Sequence, residues 1–434
     1  MEISCKRSKN YASDLNALRN HRRMPRVMQS SATVLPPRSD WLRRFAWVRC
    51  NLMPSSTGSV RGRKPEQFPP KLYSSSSSLQ LSMRPFVYNA LPARVVFGVG
   101  TLSKLPEEVS RLGCKRALVL STKVQEQSGK EVQQLLGNTA VGLYSNATMH
   151  TPENITEEAL KVVQETNADC VVSVGGGSTI GLGKAIAYRT DLPQIVIPTT
   201  YAGSEATPIL GQTAKGQKVT LKDSKVLPEV ILYDVDLTLT LPATMTITSG
   251  MNAIAHAVEA LYSPESNPMI DMLAEQGIAA IARALPIIHN EPKNKDARSD
   301  ALFGAWACGT CLGAVGMSLH HKLCHTLGGS FNMPHAETHT VILPHAVAYN
   351  EVGAKDAIAT VARALGVTNA AQGLYDLAKG LGAPYSLQEL GFKEEDIPKA
   401  AEIASKAPYP NPVPLEKEKI LRLLQNAWAG KRPE

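Results

Sequence analysis

Between Arg94 and Asp234, short runs of Val, Ile and Leu alternate with segments whose apolar positions recur every three or four residues. RVVFG (94–98), RALVLST (116–122), AVGLYS (140–145), CVVSVGGGS (170–178), QIVIPTT (194–200) and VILYD (230–234) read as strands. TLSKLPEEVSRLG, VQEQSGKEVQQLLG, ENITEEALKVVQETN and TIGLGKAIAYR, which lie between them, read as helices. GQTAKGQKVTL (211–221) alternates weakly around Lys215-Gly216 and predicts a hairpin off the sheet. After LPATM (241–245) the pattern becomes helical to near the end, in long Ala/Leu-rich segments. The expectation is an α/β N-terminal domain over 85–240, with a Rossmann-like parallel sheet able to bind a dinucleotide, followed by an all-helical C-terminal domain over 241–434.

The formal charge of +8 is unevenly placed. Residues 1–82 hold 15 Lys/Arg and 4 Asp/Glu, a net +11, whereas the rest holds 31 and 34, a net −3. The folded body is therefore near neutral, and a nucleic-acid partner, which needs a basic face on the fold, is not expected. No run approaches about 18 apolar residues, so no membrane-spanning helix is expected. Residues 1–84 read as a basic extension, Arg- and Ser-rich with PPR, PPK and SSSSS stretches and no apolar period. A non-structural, disordered extension is the favoured reading; a mitochondrial transit peptide suits the Arg- and Ser-rich composition but not the early Glu2 and Asp14 or the length, and a true start at Met83 is the third reading. The cytoplasm is the expected location, with the mitochondrion as the alternative. Seven scattered cysteines form no disulfide framework and suit a reducing compartment. Cys308-x-x-Cys311 lies in AWACGTCLGAVG, a small-residue run that reads as close helix packing rather than a redox or metal motif.

Two features carry candidate chemistry. Gly175-Gly176-Gly177-Ser178 joins a buried strand to a helix, where free amides and the helix dipole suit a pyrophosphate; a plain strand-to-helix turn is the alternative. A second polar loop, Pro198-Thr199-Thr200-Tyr201-Ala202-Gly203-Ser204-Glu205, ends the next strand and can converge on the same ligand. Four of the ten histidines fall between His320 and His335. Asn252 and His256 are four apart on one predicted helix, His321 and His325 repeat that spacing, and His335 follows a turn. Such an arrangement can hold a metal or an anion. His320 is expected to face elsewhere, and His150, His289, His339 and His345 are read as structural or exposed.

The strings GSEATP, LTLTLPA, SGMNAIAHAVEALY, GMSLHHKLCHTLGGSFNMPHAETH and ILPHAVAYN resemble the iron-containing alcohol dehydrogenase superfamily, and its maleylacetate reductase branch in particular. The resemblance runs from about residue 85 to 434. It implies a nucleotide-binding domain, a helical domain, an active site in the cleft between them, and a homodimer. Gly175, Gly176, Gly177 and Ser178 would hold the pyrophosphate of NADH or NADPH. Thr199, Thr200 and Ser204 would lie along the cofactor, with Lys218 near the ribose. Thr122 stands where NAD-restricted relatives place Asp, which implies that both cofactors are usable.

In metal-dependent members an Asp and three His bind iron or zinc, and those positions fall on Asn252, His256, His321 and His335. His325 matches a further active-site histidine. Asn252 replaces the carboxylate, so no firm metal set is expected, although three imidazoles can bind zinc. The implied substrate is a small dicarboxylate keto acid, maleylacetate, reduced at its C=C bond. The histidines and Lys322 would then form a positive cradle in which imidazolium groups stabilise the enolate and supply the proton. A metal-dependent alcohol dehydrogenase on the same fold is the nearest alternative, and a catalytically silent nucleotide-binding protein is the alternative of another class.

Overall fold

The computed structural model describes residues 85–91, 93–214, 217–406 and 409–434, and the basic extension lies outside them. The strands are β1 (Arg94–Gly98), β2 (Ala117–Leu120), β3 (Ala140–Tyr144), β4 (Cys170–Gly175), β5 (Gln194–Pro198), β6 (Ile209–Ala214), β7 (Gln217–Lys222) and β8 (Val230–Asp234). Six of them form one parallel sheet in the order β1-β8-β5-β4-β2-β3. Every residue of β2, β4, β5 and β8 is buried, as continuous apolar runs require when helices cover both faces. The five-residue strands β1 and β3 form the more exposed edges. β6 and β7 pair antiparallel as the hairpin that the weak alternation anticipated.

In the α/β half, the crossovers are α1 (Leu105–Arg111), α2 (Glu126–Leu136), α3 (Glu153–Thr166) and α4 (Gly177–Thr190). From β2 the chain steps outward to β3, then returns to β4 and proceeds the other way through β5 to β8. The carboxyl ends of β2 and β4 therefore flank a reversal of strand order, the place where open parallel sheets bind ligands.

The helical half comprises α5 (Ala243–Leu261), α6 (Pro268–Asn290), α7 (Lys295–Ala314), α8 (Leu319–Phe331), α9 (His335–Asn350), α10 (Lys355–Leu365), α11 (Ala370–Gly380), α12 (Ile397–Lys406) and α13 (Lys417–Trp428). All 16 residues from Thr246 to Leu261 on α5 are buried, so α5 is the central helix. Among the described residues no single helix is long and apolar enough to cross a membrane.

Small residues let α7 press against its neighbours. A Cβ on Gly304 would lie 2.5 Å from Ile281 Cγ1, and one on Gly277 would lie 2.7 Å from Cys308 Sγ. Cys308 and Cys311 are free and fully buried in this contact, which is the packing role read from their run. Gly309 sits against Gly203 so closely that an added methyl would overlap the Gly203 backbone carbonyl. Gly309→Ala is therefore expected to destabilise the protein by about 1–3 kcal/mol. A denaturation midpoint unchanged from wild type would contradict that contact.

Candidate active site

The glycine turn is built by packing as much as by a ligand's needs. Gly175 has φ of +149°, and a Cβ there would lie 2.5 Å from Thr179 Oγ1 and 2.7 Å from Gln125 Oε1. A Cβ on Gly176 would lie 2.9 Å from Thr200 Cγ2. At Gly177 a Cβ would meet nothing within 4 Å. Gly177 and Ser178 line a cavity of about 760 Å³ at the start of α4. Their amides precede the first helical bonds, in which Thr179 and Ile180 donate to Gly176 O. The first two glycines thus serve the fold, and the third leaves backbone open to a ligand.

Thr200 and Ser204 also line this cavity. Thr199 is buried, and its hydroxyl accepts from Gln125 Nε2 at 2.9 Å, which ties the loop after β5 to the loop after β2. Unlike Thr200 and Ser204, it does not line the cavity. The Lys218 backbone pairs with Thr213 in the hairpin; its side chain lies outside the described part of the structure.

The other wall of the same cavity comes from the helical half. Met245, Thr248, Ser249, Asn252 and His256 form one stripe down α5, and His321, His325 and His335 face it from α8 and α9. The rings of His256 and His321 lie 5.1 Å apart, and those of His321 and His325 lie 6.1 Å apart. All five residues singled out from the sequence therefore meet the glycine turn across one space. Asn252 Nδ2 donates to Ala202 O at 3.4 Å, which joins α5 to the polar loop, while its Oδ1 is buried without a partner.

Three groups that sequence reasoning missed organise this wall. Glu259, fully buried one turn below His256, accepts at 2.8 Å from the Ser318 amide, from the His320 amide and from His321 Nδ1. It thereby caps the N-terminus of α8 from a different helix. Because a carboxylate only accepts, the His321 hydrogen sits on Nδ1, and the buried, unpartnered Nε2 is left as the ring's free atom. The available signal was an acid inside the otherwise apolar run IAHAVEAL with no Lys or Arg three or four positions away.

Behind His321, His320 Nε2 and His339 Nδ1 are hydrogen-bonded at 3.0 Å, and both residues are fully buried. His320 is off the cavity wall as expected, but it packs against His321 at 5.1 Å rather than turning away from the cluster. His339, read from sequence as structural or exposed, is buried behind the cavity wall and packs against His321, His335 and His256. The third missed group is Lys184. It is almost fully buried on α4, with Nζ donating to Ser204 O at 2.6 Å, Thr207 O at 2.7 Å and Ile209 O at 2.9 Å. Burial pulls its pKa down to about 7, opposed by Glu205. It ties the polar loop to the base of the hairpin, and its signal was the single charge in STIGLGKAIA.

The electrostatics revise one expectation. Burial, reinforced by the neighbouring imidazoles, holds His256, His320 and His339 well below the ordinary histidine range. His256 is thus a neutral ring at neutral pH and not one of the imidazolium donors expected from sequence. Lys222 adds positive charge to the cavity wall, and Glu265 and Glu337 add negative charge, so the cradle is mixed rather than uniformly positive. Lys322 is not on that wall; its ammonium lies 6.0 Å from the centre of the Tyr409 ring.

Residues 92–235 match the model for iron-containing alcohol dehydrogenases, and residues 246–428 match the C-terminal model of the same family. The chain belongs to the iron-containing alcohol dehydrogenase family. A maleylacetate reductase of Rhizobium sp. (strain MTP-10005) is 55% identical over 352 residues, which are 81% of this chain and 100% of that protein. One from Burkholderia cepacia is 54% identical over 351 residues, again 81% of this chain and 100% of that protein. The crystal structure of maleylacetate reductase from Agrobacterium tumefaciens is 54% identical, covers 81% of this chain and 100% of its own, and superposes with a TM-score of 0.79. The sheet with its helical partner is the fold of this family, and the chain is an oxidoreductase.

The family's name raises the question of iron. The residues at the corresponding positions are Asn252, His256, His321 and His335, all four on the cavity wall and none of them an anion. The buried carboxylate behind them, Glu259, is occupied by α8 amides and His321 Nδ1 and does not reach the cavity. Divalent iron there would meet three imidazoles and one amide with no anion among them, because Glu259 orients His321 from behind without supplying a ligand. These residues do not fit an iron site that relies on a carboxylate ligand.

Proposed function

We propose that the chain reduces the C=C bond of maleylacetate, giving 3-oxoadipate, with NADH or NADPH as reductant. One observation carries this reading: the histidine wall and the open glycine corner line a single cavity between the two halves. The identity to maleylacetate reductases over their full length supports the choice of substrate.

The amides of Gly177 and Ser178, at the positive end of the 14-residue helix α4, bind the cofactor pyrophosphate. When bound, the reduced nicotinamide supplies hydride to the alkene carbon distal to the ketone. The protein's remaining tasks are to steady negative charge on the ketone oxygen and to protonate the adjacent carbon. His321 is placed for proton transfer, because Glu259 holds its far nitrogen and forms an ion pair with the ring when it is protonated. Asn252 and neutral His256 provide orientation, and His325 and His335 close the other side of the substrate. Lys222 faces a substrate carboxylate from the hairpin. The active form is a homodimer in solution.

The test follows reduced-nicotinamide absorbance with maleylacetate, with each cofactor, before and after exhaustive chelation. Turnover with both cofactors, insensitive to chelator, is expected. Thr122, two residues past β2, presents no carboxylate to repel a 2′-phosphate. Turnover only of simple alcohols, abolished by chelation, would replace this reading with that of a metal-dependent alcohol dehydrogenase.

A further inference from the structure

Three of the cavity imidazoles rest on one ring that never touches the cavity. His339 lies 4.3 Å from His335, 4.9 Å from His321 and 6.4 Å from His256, centroid to centroid. It meets His321 and His256 edge-on, at 78° and 77°. His320 packs edge-on against His321 beside His339, at 5.1 Å and 76°. His339 and His320 are joined by their 3.0 Å hydrogen bond, and neither lines the cavity.

An apolar core would serve to fill this volume. The structure instead places two imidazoles there, each leaving one buried nitrogen without a partner, His320 Nδ1 and His339 Nε2. Orphaned buried nitrogens carry a cost that simple packing does not explain. From these contacts we infer that His320 and His339 act as a positioning pair, which fixes the ring orientations of His321, His335 and His256 for the reduction proposed above. The shared hydrogen bond fixes the pair geometrically. With Nδ1 of His339 engaged, its ring cannot rotate about χ2 without breaking that bond, so the faces against which His335 and His321 pack are held in place.

Cys324 lies 3.7 Å from His320 Nε2, and the ligand atoms of His320, Cys324 and His339 fall within 4.8 Å of one another. A cation among these three is the competing interpretation. The hydrogen bond between two of the would-be ligand nitrogens favours the pair, as does the complete burial of all three with no wall on the cavity, since a metal site needs an entry path.

This inference rests on the proposed activity, so wild-type turnover of maleylacetate is established first; its absence defeats the parent reading and not the pair. The variants are then His339→Phe, which keeps a ring but no hydrogen bond, His339→Asn, whose amide can replace Nδ1, and His320→Phe. Both Phe variants are expected to lower kcat about tenfold to hundredfold, as loss of an orienting partner typically does, with KM and cofactor Kd within about threefold of wild type. The double Phe variant should be no worse than either single one, and His339→Asn should recover most of the loss. In proton NMR, the hydrogen-bonded imidazole N–H signal should vanish in each Phe variant. Wild-type kcat in folded His339→Phe would reduce the pair to packing. Stoichiometric zinc in the purified wild type, lost in His339→Phe, would make these residues ligands and overturn the inference.

Discussion

Glu259→Gln should lower kcat about 10²- to 10⁴-fold while leaving cofactor affinity near wild type. The substitution preserves shape, so the effect isolates charge and acceptor capacity. Glu259 receives hydrogens on both oxygens: the His320 amide on Oε1, and the Ser318 amide and His321 Nδ1 on Oε2. An amide has one accepting atom, so its NH₂ must face a donor whichever way it turns. The ion pair with His321 is lost in either orientation; an NH₂ on the Oε2 side also costs the ring its anchor and Ser318 its acceptor, and on the Oε1 side it costs His320 its cap. Either choice also costs about 1–3 kcal/mol of stability. The glycine corner belongs to the other half of the fold, which is why cofactor binding should be spared. The decisive measurement is kcat together with cofactor Kd by fluorescence titration. A wild-type kcat in Glu259→Gln would remove the carboxylate from the mechanism.

The second large effect concerns acid stability. Burial holds His256, His320 and His339 well below 6.5 and pulls His345 down to about 4. In the unfolded chain these rings take up protons near 6.5, whereas in the native protein they do not. Their contribution is therefore fully present above 6.5 and is lost as pH falls from there toward the depressed native values. His345 alone corresponds to about 3 kcal/mol, at roughly 1.4 kcal/mol for each tenfold loss of proton affinity on folding, and the other three act in the same direction. Glu205 and Glu229 oppose the trend, because burial raises their carboxyls and acid favours the folded form there. Between pH 7.5 and pH 5 His345 should account for about 2 kcal/mol of lost stability, and His345→Asn should shrink the pH dependence of denaturant unfolding by that amount. A pH dependence unchanged by His345→Asn would show that His345 is not held neutral in the native state.

Much of the site was legible because local period and tertiary face coincide. Asn252 and His256 lie four apart on a helix that is buried all round, so any polar residues on it must answer one another across the core. The same spacing on α8 placed His321 and His325. The glycine turn was legible because a buried strand running into three glycines has few conformations other than a tight turn at a helix start. Glu259 was not legible: its role depends on the first turn of α8 lying against α5, a contact between residues 59 to 62 positions apart. Lys184 reads as a surface residue until the loop and the hairpin base close over it.

By itself the sequence determined the parallel sheet, the change to helices after residue 240, the open glycine corner and the five side chains of the cavity wall, because hydrophobic period and residue chemistry are local properties. Only the tertiary structure decided which imidazole has a carboxylate behind it, which are neutral, and that His339 underlies three others. Burial and hydrogen-bond partners set charge and tautomer, and both are created when distant helices pack.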